Sequence, residues 1–503
     1  MGLMGLEWMF ISVILGALLR LLQIFSFAEN PCLYFKNKNS FVKSILENCP
    51  ILTSPFKPTL LWGKSGHFQT VVHVLMGKVK PKWPDSKRFH IKMPDGATMS
   101  YDLFDPHEEG EKAQFTLALC PGLANSSECT YLRRFSGHAQ QHGYRVAILN
   151  HLGALRSETL TSPRGQYPHT KIIMVGFSMG GNIVTKYLGE NPTHQNDILC
   201  GVACVNLHNG YHNKHTVYGR GDIQKWAGFS LDRCDLHGDK LNVHCDDHQQ
   251  LCCSVCVALR HSAKNLFVQW SNLRRVYTYL MTLNMRRLLS RHKHLLFSKE
   301  AQKLFGCFKE DCVFNATSLI RAGYKSAHDY YKDSSSAYYL NNIQVPMLFV
   351  NALDDPVCPP DLLKYPREYV EKTDNCIFIT TKHGGHLGFF EGGVLVPECI
   401  TWLDRVIIEY ADGVASVYLK GEHPSQTIAV KQVEELSERE IIIDNSENDS
   451  REVTLRKREV NQEFTFERAV IDKEVEDKEK RDTLKRGYSY LIVCLKYLAK
   501  YIC

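Results

Sequence analysis

The sequence predicts an α/β protein built on a mostly parallel sheet. Three observations carry that expectation. Between about residues 88 and 412, short apolar runs alternate with segments of helical period. The runs "FTLALC", "YRVAILN", "KIIMVG", "ILCGVACV", "VPMLFVN" and "CIFITT" are continuously apolar, as expected of strands buried on both faces. A chain of 503 residues, 44% of them hydrophobic, is long enough to bury the core such a sheet needs.

The elements follow in order. "WMFISVILGALLRLLQIFSFA", residues 8–28, has the length of a membrane-spanning helix, interrupted by Arg20. No small-residue cleavage site follows, which predicts a retained single-pass anchor; the alternative is a helix lying at the interface. The endoplasmic reticulum or plasma membrane would hold it, with sidedness open. Lys36, Lys38 and Lys43 favour a cytoplasmic body, whereas the sequons at Asn125 and Asn315 are usable only in a lumenal one. "RFHIKM" and "MSYDLF" flank the turn Pro94-Asp95-Gly96 and predict an antiparallel pair. Helices are predicted at 128–142, 181–190 and 397–411, the last opening on Pro397. Apolar positions at helical spacing in 265–297 suit helices that cover a site or pack on the core. From about 413 the composition turns charge-dense and predicts a solvated, disordered or loosely helical tail.

Bulk chemistry excludes several classes. The formal charge of +6 is mild, and no basic stripe points to nucleic acid. The 18 cysteines sit in a chain far too large for a disulfide-stapled scaffold. "GKS" at 63–65 is no phosphate-binding loop, because Pro58 stands where that motif needs Gly. His90 and Asp95 fit H-x₄-D but fall in a predicted strand and turn. The Cys/His cluster between Cys234 and Cys256 holds one C-x₂-C pair without a second, so no metal is assigned.

The strongest functional signal is Gly176-Phe-Ser178-Met-Gly180 between a strand and a helix. That pattern makes Ser178 a candidate nucleophile on a sharp turn, with the following helix aiming its first N–H groups at the site. Met179 N–H is the first candidate oxyanion donor. Leu123 N–H, in "CPGLANSS" after an earlier strand, is the second. A serine needs a base oriented by an acid. "KHGGHLGFFEGG" offers His383 or His386 after one strand, and "NALDDP" offers Asp354 or Asp355 after another. Both follow strands of the predicted sheet, at the carboxyl edge where catalytic groups collect.

Seven blocks together resemble a known family: "WGKSGHFQT" (62–70), "MPDGAT" (93–98), "PGLANSSE" (121–128), "NHLGAL" (150–155), "GFSMGGN" (176–182), "NALDDP" (351–356) and "HGGHLGFFEGG" (383–393). They are similar to the α/β-hydrolase domain-containing proteins of the member 1, 2 and 3 group, above all the monoacylglycerol-lipase member 2. The likeness covers roughly 30–205 and 250–412. It implies an α/β-hydrolase fold with flanking helices and a lid insertion. It also implies an N-terminal membrane anchor and hydrolysis of acylglycerols or related lipid esters. Aligned on those blocks, the triad would be Ser178, Asp355 and His386, because the family's acid directly precedes the proline. No metal or organic cofactor and no nucleic acid are implied; the partners are a lipid ester and a membrane. The implied layout is an anchor at 1–30, a family-specific segment at 31–87 and a hydrolase domain at 88–412. Within that domain lie an irregular insertion at 207–250 and lid-like helices at 258–340. The charged tail takes 413–503.

Two features depart from the family. The connector "HLGALRSETLTSPRGQYPHT" between two strands shows no helical period where a crossover helix is needed. Losing that helix predicts exposed apolar surface on strand 171–176, at about 25 cal/mol per Å². "LCGVACV" at 199–205 and "LCCSVCV" at 251–257 are near-duplicates competing for one strand position. Both features suggest altered exon usage or a faulty gene model. They also raise a second reading, a catalytically dead hydrolase-fold scaffold.

Overall fold

The computed structural model describes residues 28–76, 84–92, 98–151, 170–192, 198–204, 334–358 and 360–427, with a few shorter runs elsewhere. Twelve strands are described. They are β1 Cys32–Tyr34, β2 Lys87–Lys92, β3 Thr98–Phe104, β4 Phe115–Cys120, β5 Arg145–Asn150, β6 Lys171–Phe177, β7 Ile198–Cys204, β8 Val217–Gly219, β9 Leu241–Cys245, β10 Gln250–Cys253, β11 Met347–Ala352 and β12 Cys376–Thr381. The described helices are α1 Ser40–Asn48, α2 Gly66–Met76, α3 Thr130–Gln141, α4 Met179–Glu190, α5 Lys364–Val370 and α6 Trp402–Leu419, besides short 3₁₀ turns.

Nine strands form one sheet in the order β1-β12-β11-β7-β6-β4-β5-β3-β2. The six from β12 to β5 are mutually parallel. β3, β2 and β1 join antiparallel at the two edges. The predicted opening pair is present, with Lys92 facing Thr98.

Side chains alternate across the central strands, as period two requires. Ile173, Val175 and Phe177 of β6 point into a cluster with Leu132, Phe135, Val406 and Ile407, so α3 and α6 cover that face. Ile172 and Met174 join Ile183, Tyr187, Leu188 and Ile343, so α4 and the segment just before β11 cover the other. The exposed apolar face expected on strand 171–176 is absent, because Ile172 through Phe177 are all buried. Most of the connector 151–170 lies outside the described residues.

Three expectations are corrected. The last helix starts at Trp402, not Pro397, because Thr401 and Asp404 form a reciprocal capping box. It also runs through Leu419, so the boundary at 412 falls inside a helix and residues 420–427 continue the packed unit. The segment 31–87 adds to the same sheet and core: β1 extends the sheet, and Phe41, Val42 and Ile45 of α1 enter the main core. The duplicated runs do not compete. Ile198–Cys204 takes the position between β6 and β11, while Gln250–Cys253 pairs with β9 in a separate antiparallel sheet ordered β10-β9-β8.

The apolar run 8–28 lies outside the described residues apart from Ser12, Gly16 and Ala28. No described helix is long and apolar enough to cross a membrane. Most of 258–333 and everything after 427 also lie outside them.

Candidate active site

β6 ends at Phe177 and α4 begins at Met179, leaving Ser178 alone in the turn with φ 55° and ψ −116°. A non-glycine residue there is strained and must be held by its surroundings. The neighbouring glycines make the turn possible. A Cβ on Gly180 would lie 2.0 Å from the Cys120 carbonyl oxygen, and one on Gly176 would lie 2.3 Å from that of Gly180. Any side chain at either position would push β4, β6 and α4 apart.

Three side chains then form a chain of hydrogen bonds. Ser178 Oγ lies 2.9 Å from His386 Nε2. His386 Nδ1 lies 2.9 Å from Asp355 Oδ2. The other oxygen of Asp355 accepts from the N–H groups of Val357 and Cys358, at 2.7 and 2.8 Å. That turn fixes the carboxylate, which is buried. An ionised acid at Nδ1 places the neutral ring's proton on that nitrogen and leaves Nε2 as an acceptor for the serine proton.

Of each alternative pair, one residue joins this chain and the other braces it. Asp354 Oδ1 accepts from Gly385 N–H at 2.8 Å, and its Oδ2 lies 3.5 Å from His383 Nδ1. Burial raises the Asp354 carboxyl above its ordinary pKa, against the nearby His383 ring and the bond from Gly385 N–H.

The loop after β4 lies against Ser178: a Cβ on Gly122 would sit 3.7 Å from that of the serine. Several bonds fix the loop. Gly122 N–H donates to Tyr131 Oη at 3.2 Å. Buried His151 meets the Pro121 carbonyl through Nε2 at 2.9 Å; burial lowers its pKa, so the neutral ring donates from Nε2. Ser127 N–H donates to Asn150 Oδ1 at 2.8 Å, and its hydroxyl bonds the buried Asp102. Asp102 is gripped in turn by Arg88 at 2.6 and 2.7 Å. With Gly122 N–H occupied by Tyr131, Leu123 is the next donor along the loop. Met179 opens α4, whose first-turn N–H groups have no partner within the helix.

Sequence reasoning missed the residues that hold His386. Thr70 Oγ1 accepts from His386 N–H at 2.9 Å while donating to the Gly66 carbonyl at 2.7 Å. Gln69 binds both sides of Phe390: its Nε2 donates to the carbonyl at 3.0 Å, and its Oε1 accepts from the N–H at 2.8 Å. The signal was the co-occurrence of "WGKSGHFQT" and "HGGHLGFFEGG", which α2 joins face to face. His67 adds a contact to Tyr277 Oη at 2.9 Å, one of the described helical residues in the 265–297 run. Among the described residues no group of three or more His, Cys, Asp or Glu side chains could hold a metal ion. The side chains of the Cys234–Cys256 cluster lie outside them.

A strand–turn–helix elbow on a mostly parallel sheet, with an acid and a histidine delivered after later strands, defines an α/β-hydrolase-fold protein. A family model described as alpha/beta hydrolase fold matches residues 116–229. The chain is 36% identical over 442 residues to the monoacylglycerol lipase ABHD2 of Mus musculus, covering 82% of this chain and 92% of that one. It is 34% identical over 438 residues to the abhydrolase domain-containing protein 2 of Drosophila melanogaster, covering 82% and 97%. The chain belongs to the ABHD2 family of α/β-hydrolase domain-containing proteins. Among solved structures, a Pyrococcus furiosus esterase aligns with 60% of this chain and 83% of its own at 13% identity, with a TM-score of 0.29. That likeness is too distant to carry weight.

Proposed function

We propose that this chain is a serine hydrolase cleaving carboxylic esters of lipids, with acylglycerols the leading substrate class. The observation that carries the reading is the hydrogen-bonded line Ser178–His386–Asp355 at 2.9 Å per link. His386 Nε2 takes the hydroxyl proton as Ser178 Oγ attacks the ester carbonyl. The tetrahedral oxyanion is held by Leu123 and Met179 N–H groups. The C–O bond to glycerol breaks, and His386 returns the proton to the departing alkoxide. Water, deprotonated by the same imidazole, then releases the fatty acid from the acyl-enzyme and regenerates Ser178. Asp355 holds the ring in one tautomer and stabilises its charged form.

The lipase names of the relatives support the substrate class. The run 258–340 is proposed to supply a lid, a reading favoured by Tyr277 reaching His67 beside the site. The apolar run 8–28 is proposed as a membrane anchor preceding the packed unit, and the charged segment after 427 as a tail. The intact line of three side chains favours an active enzyme over an inert scaffold.

The test uses a fluorophosphonate probe and an emulsified monoacylglycerol. The full chain should be labelled and should release fatty acid, and Ser178→Ala should lose both. Absence of labelling in well-folded wild-type protein would sink the reading.

A further inference from the structure

The loop bearing His386 continues into an exposed aliphatic surface. Val394, Leu395 and Val396 are exposed by 64, 60 and 76%, and Leu60 and Leu61 by 56 and 43%. The two groups form one patch: Leu60 N–H donates to the Gly393 carbonyl at 3.1 Å, and Leu61 N–H to that of Val394 at 3.0 Å. Beneath them, Trp62 Nε1 donates to the Leu395 carbonyl at 2.7 Å. Gln69 ties the same two segments together, bonding the Gly63 and Phe390 carbonyls at 2.7 and 3.0 Å. The patch and the His386 loop are therefore one braced piece. Five aliphatic side chains presented to water on a fixed backbone are costly unless something apolar covers them.

Two observations point to the cover. The Glu29 carbonyl accepts from Phe56 N–H at 3.3 Å, so the apolar run 8–28 joins the body close in sequence to Leu60. Lys57, next to Phe56, is exposed at the border of the patch, placed for a lipid phosphate. We propose that this surface docks on a phospholipid bilayer. The aliphatic side chains enter the acyl boundary and bring the Ser178 site against the lipid from which its ester is drawn. The proposal rests on the lipid-ester reading above.

The experiment compares two substrates on the full chain. One is a monoacylglycerol within phosphatidylcholine vesicles; the other is p-nitrophenyl butyrate in solution. The variant Val394→Ser/Leu395→Ser/Val396→Ser should lose about tenfold or more on vesicles. On the soluble ester it should keep its rate to within about twofold, since these side chains face away from the protein. Leu419→Ser, an exposed leucine at the end of α6, should change neither rate. Unchanged vesicle turnover in the triple variant would overturn the proposal, as would equal losses on both substrates.

Amide exchange of residues 392–398 separates this idea from the chemistry. Protection on adding phosphatidylcholine vesicles, even if no ester is cleaved, supports docking while refuting the enzyme. No protection overturns docking. Protection that grows with protein concentration in the absence of lipid assigns the surface to a second copy and also overturns it.

Discussion

Thr70 joins two parts of the chain that are 316 positions apart, through one hydroxyl that both gives and takes a hydrogen bond. It touches no reacting atom; it fixes the backbone from which the His386 ring projects. Thr70→Val keeps the shape and leaves the His386 N–H unpaired. The expected outcome is a fall in kcat of about tenfold with little change in KM, since one such bond is worth about 1 kcal/mol or somewhat more. Thr70→Ser should restore most of the rate, which a steady-state comparison on a soluble ester would read directly. At this scale the sequence carried much. Ser178 stood out from two glycines whose absent side chains keep β4 and α4 in contact. The pairs Asp354/Asp355 and His383/His386 were visible, but spacing alone left each open. The family resemblance singled out Asp355 and His386, and the hydrogen bonds have Asp355 turning its second oxygen to His386 while Asp354 braces Gly385. Thr70 itself was hidden, because nothing near position 70 reveals a partner at 386.

α6 shows what local signals can and cannot fix. Pro397 is permitted at a first helical position, but permission is weaker than a cap. Thr401 and Asp404 satisfy each other's backbone N–H groups, and Asp404 also takes the Arg134 guanidinium at 2.9 Å. The helix therefore starts where its orphan donors are met. Thr401→Ala should cost about 1 kcal/mol. For a unit of this size that corresponds to a fall in Tm of about 2–4 °C, measurable by scanning calorimetry. β8 and β9 went unforeseen for a different reason: β8 is only three residues long, and the alternation of Leu241–Cys245 stands isolated in a polar, His-rich segment. The continuous apolar runs of the main sheet were legible because burial on both faces leaves no room for polar residues.

Over the whole molecule, the described residues that follow α6 pack back against β7. His423 is fully buried; its Nε2 meets the Leu199 carbonyl at 3.0 Å, and its Nδ1 lies 2.8 Å from Ser425 Oγ. Phe41 and Tyr418 pack edge-on against the ring. Burial lowers its pKa from 6.5 to about 4, opposed by the bond to Leu199. The unfolded chain then takes up the proton more readily than the folded one. The stability this group contributes is complete above pH 6.5 and is lost as pH falls toward 4. The loss should reach ~3 kcal/mol at the lower end. Urea unfolding at a series of pH values should show that slope, and His423→Asn should flatten it. Drawing the start of the tail at 413 concealed this contact, because the charge-dense stretches lie further on, beyond His423.

The loop that carries His386 is held from both sides in sequence. Residues 66–70 grip it from upstream. From downstream, Arg405 of α6 binds Glu391 at 2.9 and 2.7 Å, and Trp402 stacks on Phe389. During synthesis, Ser178 and its elbow leave the ribosome more than 200 residues before α6. Through that interval the hydroxyl has no base and is an ordinary alcohol. In the proposed hydrolase, the serine therefore gains its base only once residue 386 has followed it out and been seated by the segments on either side.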